Sequence, residues 1–134
     1  MRGLTSVSVA VVDSGVHPNH PHVGSVAGGV GIAIDGAEHE DFVDRLGHGT
    51  AVAAAIREKA PRSVLYAVKV FDQELSTSVE ALVAAIDWAV GARVRLINLS
   101  LGMVNTEHEN QLRTAVERAA MSGTLVVAPA ADEH

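Results

Sequence analysis

The segment VAVVDSGVHPNHPHV, Val9 to Val23, closes an apolar run with a carboxylate and then crowds three histidines into six residues. An unbroken run of Val and Ala suits a strand buried on both faces, as in a parallel sheet covered by helices. Ser14 and Gly15 follow Asp13 directly and let the chain turn sharply at the strand's end. For strand-Asp-Ser-Gly taken alone, an Asx-type turn is the ordinary role of the aspartate. Whether Asp13 does more depends on what the rest of the chain sets beside it.

Working outward, short Val- and Ile-rich runs recur at Ser6–Val12, Gly29–Ile34, Ser63–Val70, Val94–Ser100 and Thr124–Ala130, and each reads as a strand. Between them, Gly47–Ala60, Ser76–Gly91 and Asn105–Gly123 carry the 3.6-residue periodicity of helices. In the last of these, Leu112, Ala115, Val116, Ala119 and Ala120 share one face, and Glu109, Arg113, Glu117 and Arg118 the other. Ser76 or Ser78 followed by Glu80 marks a helix start, Pro61 ends the first helix, and Gly91 and Gly123 stand where C-terminal caps belong. The order β-β-α-β-α-β-α-β implies right-handed crossovers and a doubly wound, mostly parallel α/β sheet of about five strands, with three helices on its two faces. Ligands of such sheets collect at the carboxyl ends of the strands. Asp13, Lys69, Ser100 and Asp132 all lie at or beside such ends.

A chain of 134 residues is sized for one domain spanning 1–134. Apolar residues make up 48% but aromatics only 3%, so the core must be built from Val, Ala, Leu and Ile rather than rings. A net charge of −6 with no basic cluster argues against a nucleic-acid partner or an anionic membrane surface. No uninterrupted apolar run approaches the roughly 18 residues of a membrane helix. The opening MRGLTSVSVAVVD holds one Arg and a short apolar run without a cleavage-like segment, so no signal peptide is read and a cytoplasmic location is the expectation. The absence of cysteine removes disulfides and thiolate chemistry together.

A second motif changes the standing of Asp13. Gly47-His48-Gly49-Thr50 opens the first helix, setting a histidine in its first turn among small neighbours that let another segment approach closely. Alone, a histidine there is most often a capping or polar surface residue. Strand-D-S-G followed by helix-opening G-H-G-T, however, resembles the first two catalytic blocks of the subtilisin-like serine peptidases. Three further segments agree in order. YAVKVF followed by a helix ending IDWAV resembles the family's third strand and next helix. INLSLG, Ile97 to Gly102, resembles its substrate-lining strand, and SGTLVVAPAADE resembles the block that carries its oxyanion-hole asparagine.

The resemblance implies a subtilisin-like fold and hydrolysis of peptide or protein substrates by an Asp-His-Ser triad, with no cofactor. Asp13 would accept a hydrogen bond from His48 Nδ1, leaving Nε2 to act as general base toward a serine hydroxyl. Ser100, Leu101 and Gly102 would present backbone groups to an extended peptide. Leu75 to Ser78, Ser76 among them, would line the opposite side of the cleft.

The resemblance also has gaps. The nucleophile block G-T-S-x-A-x-P does not occur within residues 1–134, and no serine present takes its place. Ser6, Ser8 and Ser63 belong to strands, Ser14 adjoins Asp13, Ser76 and Ser78 mark a helix start, Ser122 precedes a cap and Ser100 matches a substrate-wall position. Asp132 replaces the oxyanion asparagine, and Ala131 the glycine before it. An ionised carboxylate cannot donate a hydrogen bond and repels a developing oxyanion. Losing such a donor costs roughly 2.7–4 kcal/mol of transition-state stabilisation, a magnitude that comes from subtilisin itself.

The expectation is therefore the Asp/His half of a serine endopeptidase domain, inactive as an isolated chain. Its apolar edge strand and uncovered sheet face would be covered by a segment or separate chain carrying the serine half, or by self-association. The alternative is a non-catalytic pseudo-peptidase that binds an extended peptide or partner protein.

Metal sites are not expected. Many relatives insert a calcium-binding loop in the helix that carries the histidine, whereas AAAIREKAPRSVLYAVKV passes directly from helix to strand. Imidazoles such as His17, His20, His22 and His39 suit zinc or nickel. Their spacing is not a closed-site pattern, and two prolines favour an extended, solvated loop near the cleft, with His17 close to His48.

Overall fold

The structure is a computed structural model and describes residues 6–74, 76–100 and 109–128. In chain order the elements are β1 (Ser8–Asp13), β2 (Gly28–Ile32), β3 (Glu38–His39), α1 (His48–Lys59), β4 (Val64–Lys69), α2 (Val79–Gly91), β5 (Leu96–Leu99), α3 (Glu109–Met121) and β6 (Leu125–Val127). The strands form one sheet ordered β3-β2-β4-β1-β5-β6, parallel at every pairing except β2 with β3.

The first strand made is thus a central one. β1 pairs with β4 on one side, setting Asp13 opposite Lys69, and with β5 on the other, setting Val12 opposite Leu99. Its alternate residues feed two cores. Val9 and Val11 join Val16, Val23, Leu65 and Ala67 beneath Ala53 of α1. Ala10 and Val12 join Ile86, Ile97, Leu112 and Ala115 on the face covered by α2 and α3. Burial on both sides is why this run carries no polar alternation. Small residues on the inner face of α2, Ala81, Ala85 and Ala89, are fully buried and let the helix lie close on the sheet.

The five strands and three helices read from the sequence are all present, and β3 is additional. Its two residues are exposed, so no hydrophobic period announces it. It forms because the chain reverses at Gly36 (φ 91°), with Gly36 N–H donating to Ala33 O and Ala33 N–H to Ala37 O, both at 2.8 Å.

Several local expectations are refined or corrected. Of the two serines read as the start of α2, Ser78 is the cap, its Oγ accepting from Ala81 N–H at 3.0 Å and donating to Ile34 O. Gly91 is the last residue of α2 rather than its left-handed terminator, and the positive φ (62°) falls at Arg93. Ala120 is exposed, because α3 turns only Leu112, Ala115 and Ala119 fully inward. His17–Gly24 is not extended. His20 N–H donates to His17 O, and Val23 and Gly24 N–H both donate to His20 O, at 3.0–3.1 Å, so the segment winds through consecutive turns that push Val23 into the core.

One arginine fastens that segment. Arg57 of α1 donates from Nε to Val23 O (2.8 Å), from Nη2 to Ser25 O (2.9 Å) and from Nη1 to Ser63 O. A single guanidinium thereby ties α1 both to the loop after β1 and to the start of β4.

At the other end of the sheet, Val126 packs toward α2 and α3 while Leu125 and Val127, on the opposite face of β6, are 57% and 53% exposed. Among the described residues, an apolar strip on the α1 side of β6 is therefore exposed.

Candidate active site

Asp13 ends β1 at the carboxyl edge of the sheet and is fully buried. Its backbone carbonyl accepts from Val70 N–H at 2.8 Å, which fixes the strand end against the β4 exit. Its Oδ1 accepts from Ser14 N–H at 2.6 Å. His48, the first residue of α1, places Nδ1 2.9 Å from both Asp13 oxygens. A carboxylate can only accept, so Nδ1 is the donor in this contact. The imidazole side chain is 44% exposed, which leaves Nε2 open to a reacting group.

Two glycines make this approach possible. A Cβ on Gly49 would stand 2.0 Å from Gly15 O, and one on Gly15 (φ +102°) would stand 2.4 Å from Phe42 O. The first turn of α1 therefore rests directly on the turn after β1. The D-S-G and G-H-G-T motifs are two halves of one contact.

Asp44 was not singled out in the sequence, yet it organises this contact. Gly47, the N-cap of α1, has φ 95° and no side chain to cap with. Asp44 substitutes for it. Oδ1 accepts from Leu46 N–H (2.9 Å), Gly47 N–H (2.8 Å) and Ser14 Oγ–H (2.8 Å), and Oδ2 accepts from Thr50 N–H (2.9 Å) and Thr50 Oγ–H (2.6 Å). Burial works to raise its pKa, but the hydrogen bonds from Thr50, Gly47 and Ser14 outweigh it and hold the carboxyl below its ordinary range. The available signal was an Asp just ahead of a helix whose capping position is glycine.

The register partner of Asp13, Lys69, turns elsewhere. Its buried Nζ donates to Val43 O at 2.7 Å and pairs with Asp72 at 3.0 Å. The Lys69 hydrogen bond and charge, with Arg45 adding to them, hold the Asp72 carboxyl below its usual range.

Comparison with known proteins places the fold. The sequence profile of the subtilase family matches residues 5–134. The chain belongs to the subtilase family. It is 36% identical over 138 residues to a subtilisin of Bacillus pumilus, a match that takes in 96% of this chain and 48% of that protein. Among solved structures, a lanthipeptide protease superposes with a TM-score of 0.77 at 28% identity, over 91% of this chain and 38% of its own. The nisin leader peptidase of Lactococcus lactis does so with a TM-score of 0.75 at 25% identity, over 92% and 43%. This subtilase chain spans about half the length of the Bacillus pumilus relative.

Of the other residues marked in the sequence, Ser100 follows β5, with its N–H donating to Val12 O (3.3 Å) and its Oγ accepting from Asn98 Nδ2 (3.3 Å). Ser76 is exposed and, with Thr77, Ile32, Phe71, Lys69 and Asp72, helps line a cavity of about 280 Å³. Because β4 and β5 flank β1, these two serines stand on opposite sides of the Asp13 strand. Leu75, Leu101, Gly102 and Asp132 lie outside the described residues.

The histidines of this subtilase are committed singly. His17 N–H donates to Thr50 Oγ at 3.0 Å, which ties the turn segment to α1 one residue beyond Gly49. His20 Nδ1 accepts from His22 N–H (3.2 Å), and His39, at the far edge in β3, accepts from Asp41 N–H (3.3 Å). Among the described residues, no three His, Asp or Glu side chains gather as a metal ion would need.

Proposed function

We propose that this chain is the Asp/His half of a subtilisin-like serine endopeptidase domain, acting on peptide or protein substrates with a serine supplied by polypeptide outside residues 1–134. The observation that carries the reading is the Asp13–His48 pair, a buried carboxylate bonded through both oxygens to an imidazole whose other nitrogen is open. With a serine hydroxyl at Nε2, His48 takes the proton as oxygen attacks the peptide carbonyl and returns it to the leaving amine. Asp13 stays ionised and stabilises the imidazolium between those steps. Ser100 and Ser76, on either side of β1, suit the two walls of a cleft in which an extended peptide pairs with backbone. The proteases among the relatives support the reaction class.

A second reading, a pseudo-peptidase that only binds extended peptide, is favoured by Asp132 at the position of the oxyanion asparagine. One experiment separates the two. The 134-residue chain is treated with a fluorophosphonate probe alone, and again joined to a downstream segment bearing G-T-S-x-A-x-P. No labelling alone, and labelling of the joined domain that disappears in His48→Ala, is the expected result. Labelling of the chain alone, or labelling indifferent to His48→Ala, refutes the proposal, and peptide binding without any labelling establishes the second reading.

A further inference from the structure

The two members of the Asp13–His48 pair are 35 residues apart, on segments joined by the Gly15–Gly49 contact and the His17–Thr50 bond as well as by the pair itself. The structure assigns the task of holding them in register to Asp44, as a positioning residue that never touches His48. Its carboxylate grips both segments. On the α1 side it takes the N–H groups of Leu46, Gly47 and Thr50, which bracket His48 in sequence. On the β1 side it takes the Ser14 hydroxyl, next to Asp13, and the same Ser14 Oγ accepts from Gly49 N–H at 2.9 Å. Asp44, Ser14 and Gly49 thus form a bridge running parallel to the pair, from the residue after Asp13 to the residue after His48.

The bridge requires a carboxylate. Every partner of Asp44 donates to it, and three are backbone N–H groups that cannot reverse. In an asparagine, one flip of the amide sets its NH2 against Leu46 and Gly47 N–H, and the other sets it against Thr50 N–H. No orientation of an isosteric amide satisfies the site. Gly47 has no side chain with which to replace the cap. Only the functional weight of this role rests on the proposed peptidase reading, since the geometry stands without it.

The test reads the imidazole itself, so its failure is distinct from failure of the peptidase reading. In the 134-residue chain with ¹⁵N-labelled histidine, the His48 Nδ1 proton is followed by NMR in wild type, Asp44→Asn, Ser14→Ala and Arg57→Ala. Weakening the register by the amount one unsatisfied buried donor commands should speed exchange of that proton with water about tenfold in Asp44→Asn and measurably in Ser14→Ala. Arg57→Ala loosens the far end of α1 and should leave the resonance in place even as the protein loses stability. Ser14→Ala keeps the Asp44 cap and decides the matter if Asp44→Asn does not fold. A wild-type His48 proton in Ser14→Ala, or equal disturbance in Arg57→Ala, overturns the assignment.

Discussion

Gly49→Ala is the sharpest perturbation the fold offers, because local and tertiary reasoning predict opposite signs. Gly49 lies in the first turn of α1, where replacing glycine by alanine would by propensity alone stabilise the helix by up to about 1 kcal/mol. The added Cβ, however, would stand 2.0 Å from Gly15 O, where ordinary contact begins near 3.4 Å, so the segments must part by about 1.4 Å. Gly15 is itself crowded, since Phe42 O lies 2.4 Å from where its Cβ would stand. The helix start must move instead and carry His48 with it. An Nδ1 that begins 2.9 Å from the Asp13 oxygens then passes the limit of a hydrogen bond, and the Gly49–Ser14 bond opens as well.

Overpacking of this kind costs about 1–3 kcal/mol and each of the two opened bonds about 1 kcal/mol, which after the helix gain leaves a loss of about 2–4 kcal/mol. For a domain of this size that is a fall in Tm of about 8–16 °C. Thermal unfolding followed by circular dichroism measures it, with Gly47→Ala as the comparison. Gly47 has φ 95° but open space around its Cα, so it should lose only the roughly 1–2 kcal/mol of left-handed strain. A Gly49→Ala protein as stable as wild type, or more stable, would refute the close-contact account of the site.

Three further outcomes follow from the structure. Arg57→Ala should cost about 2–3 kcal/mol in urea unfolding by freeing three backbone carbonyls, and Arg57→Lys should recover little of it, since an ammonium cannot reproduce the planar fork. Ser78→Ala should cost about 0.5–2 kcal/mol through loss of the α2 cap, measured the same way. The folded Asp44 carboxyl titrates below its unfolded value of about 3.9, so its stabilisation is complete above that pH and is lost as pH falls through it toward the lower folded value. Acid titration of stability should therefore be shallower below about pH 4 in Asp44→Asn than in wild type.

The sheet and its helices were legible because their signals are regional. Runs such as Val9–Val12 and Ser63–Val70 need no single residue to be read correctly, and parallel pairing follows from the alternation of strand and helix. β3 was not legible because two exposed residues held by a local reversal carry no period. The histidine-rich segment looked extended from its prolines, yet its turns are fixed by carbonyl contacts and by an arginine that arrives from α1. Asp13 and His48 were found by motif, and the glycines around them carried the explanation in plain view, although their meaning lies in a contact between distant segments. Asp44 escaped because a cap set several residues ahead of its helix answers to no fixed spacing. Of the four residues that donate to it, Ser14 becomes a neighbour only when the turn after β1 and the start of α1 are laid together.

The central place of β1 has a consequence for how the protein is made. The strand is synthesised before both of its sheet neighbours, β4 and β5, which follow only after α1 and α2. Until both arrive, SVAVV is an apolar ribbon with open edges on either side, the kind of segment that pairs with whatever strand it meets first. Asp13 meanwhile remains hydrated, since nothing yet shields it from water. Desolvation of the Asp13 carboxylate, fully buried in the finished fold, therefore waits on the arrival of both neighbours. The strand that ends in Asp13 is thus also the one most in need of protection from mispairing.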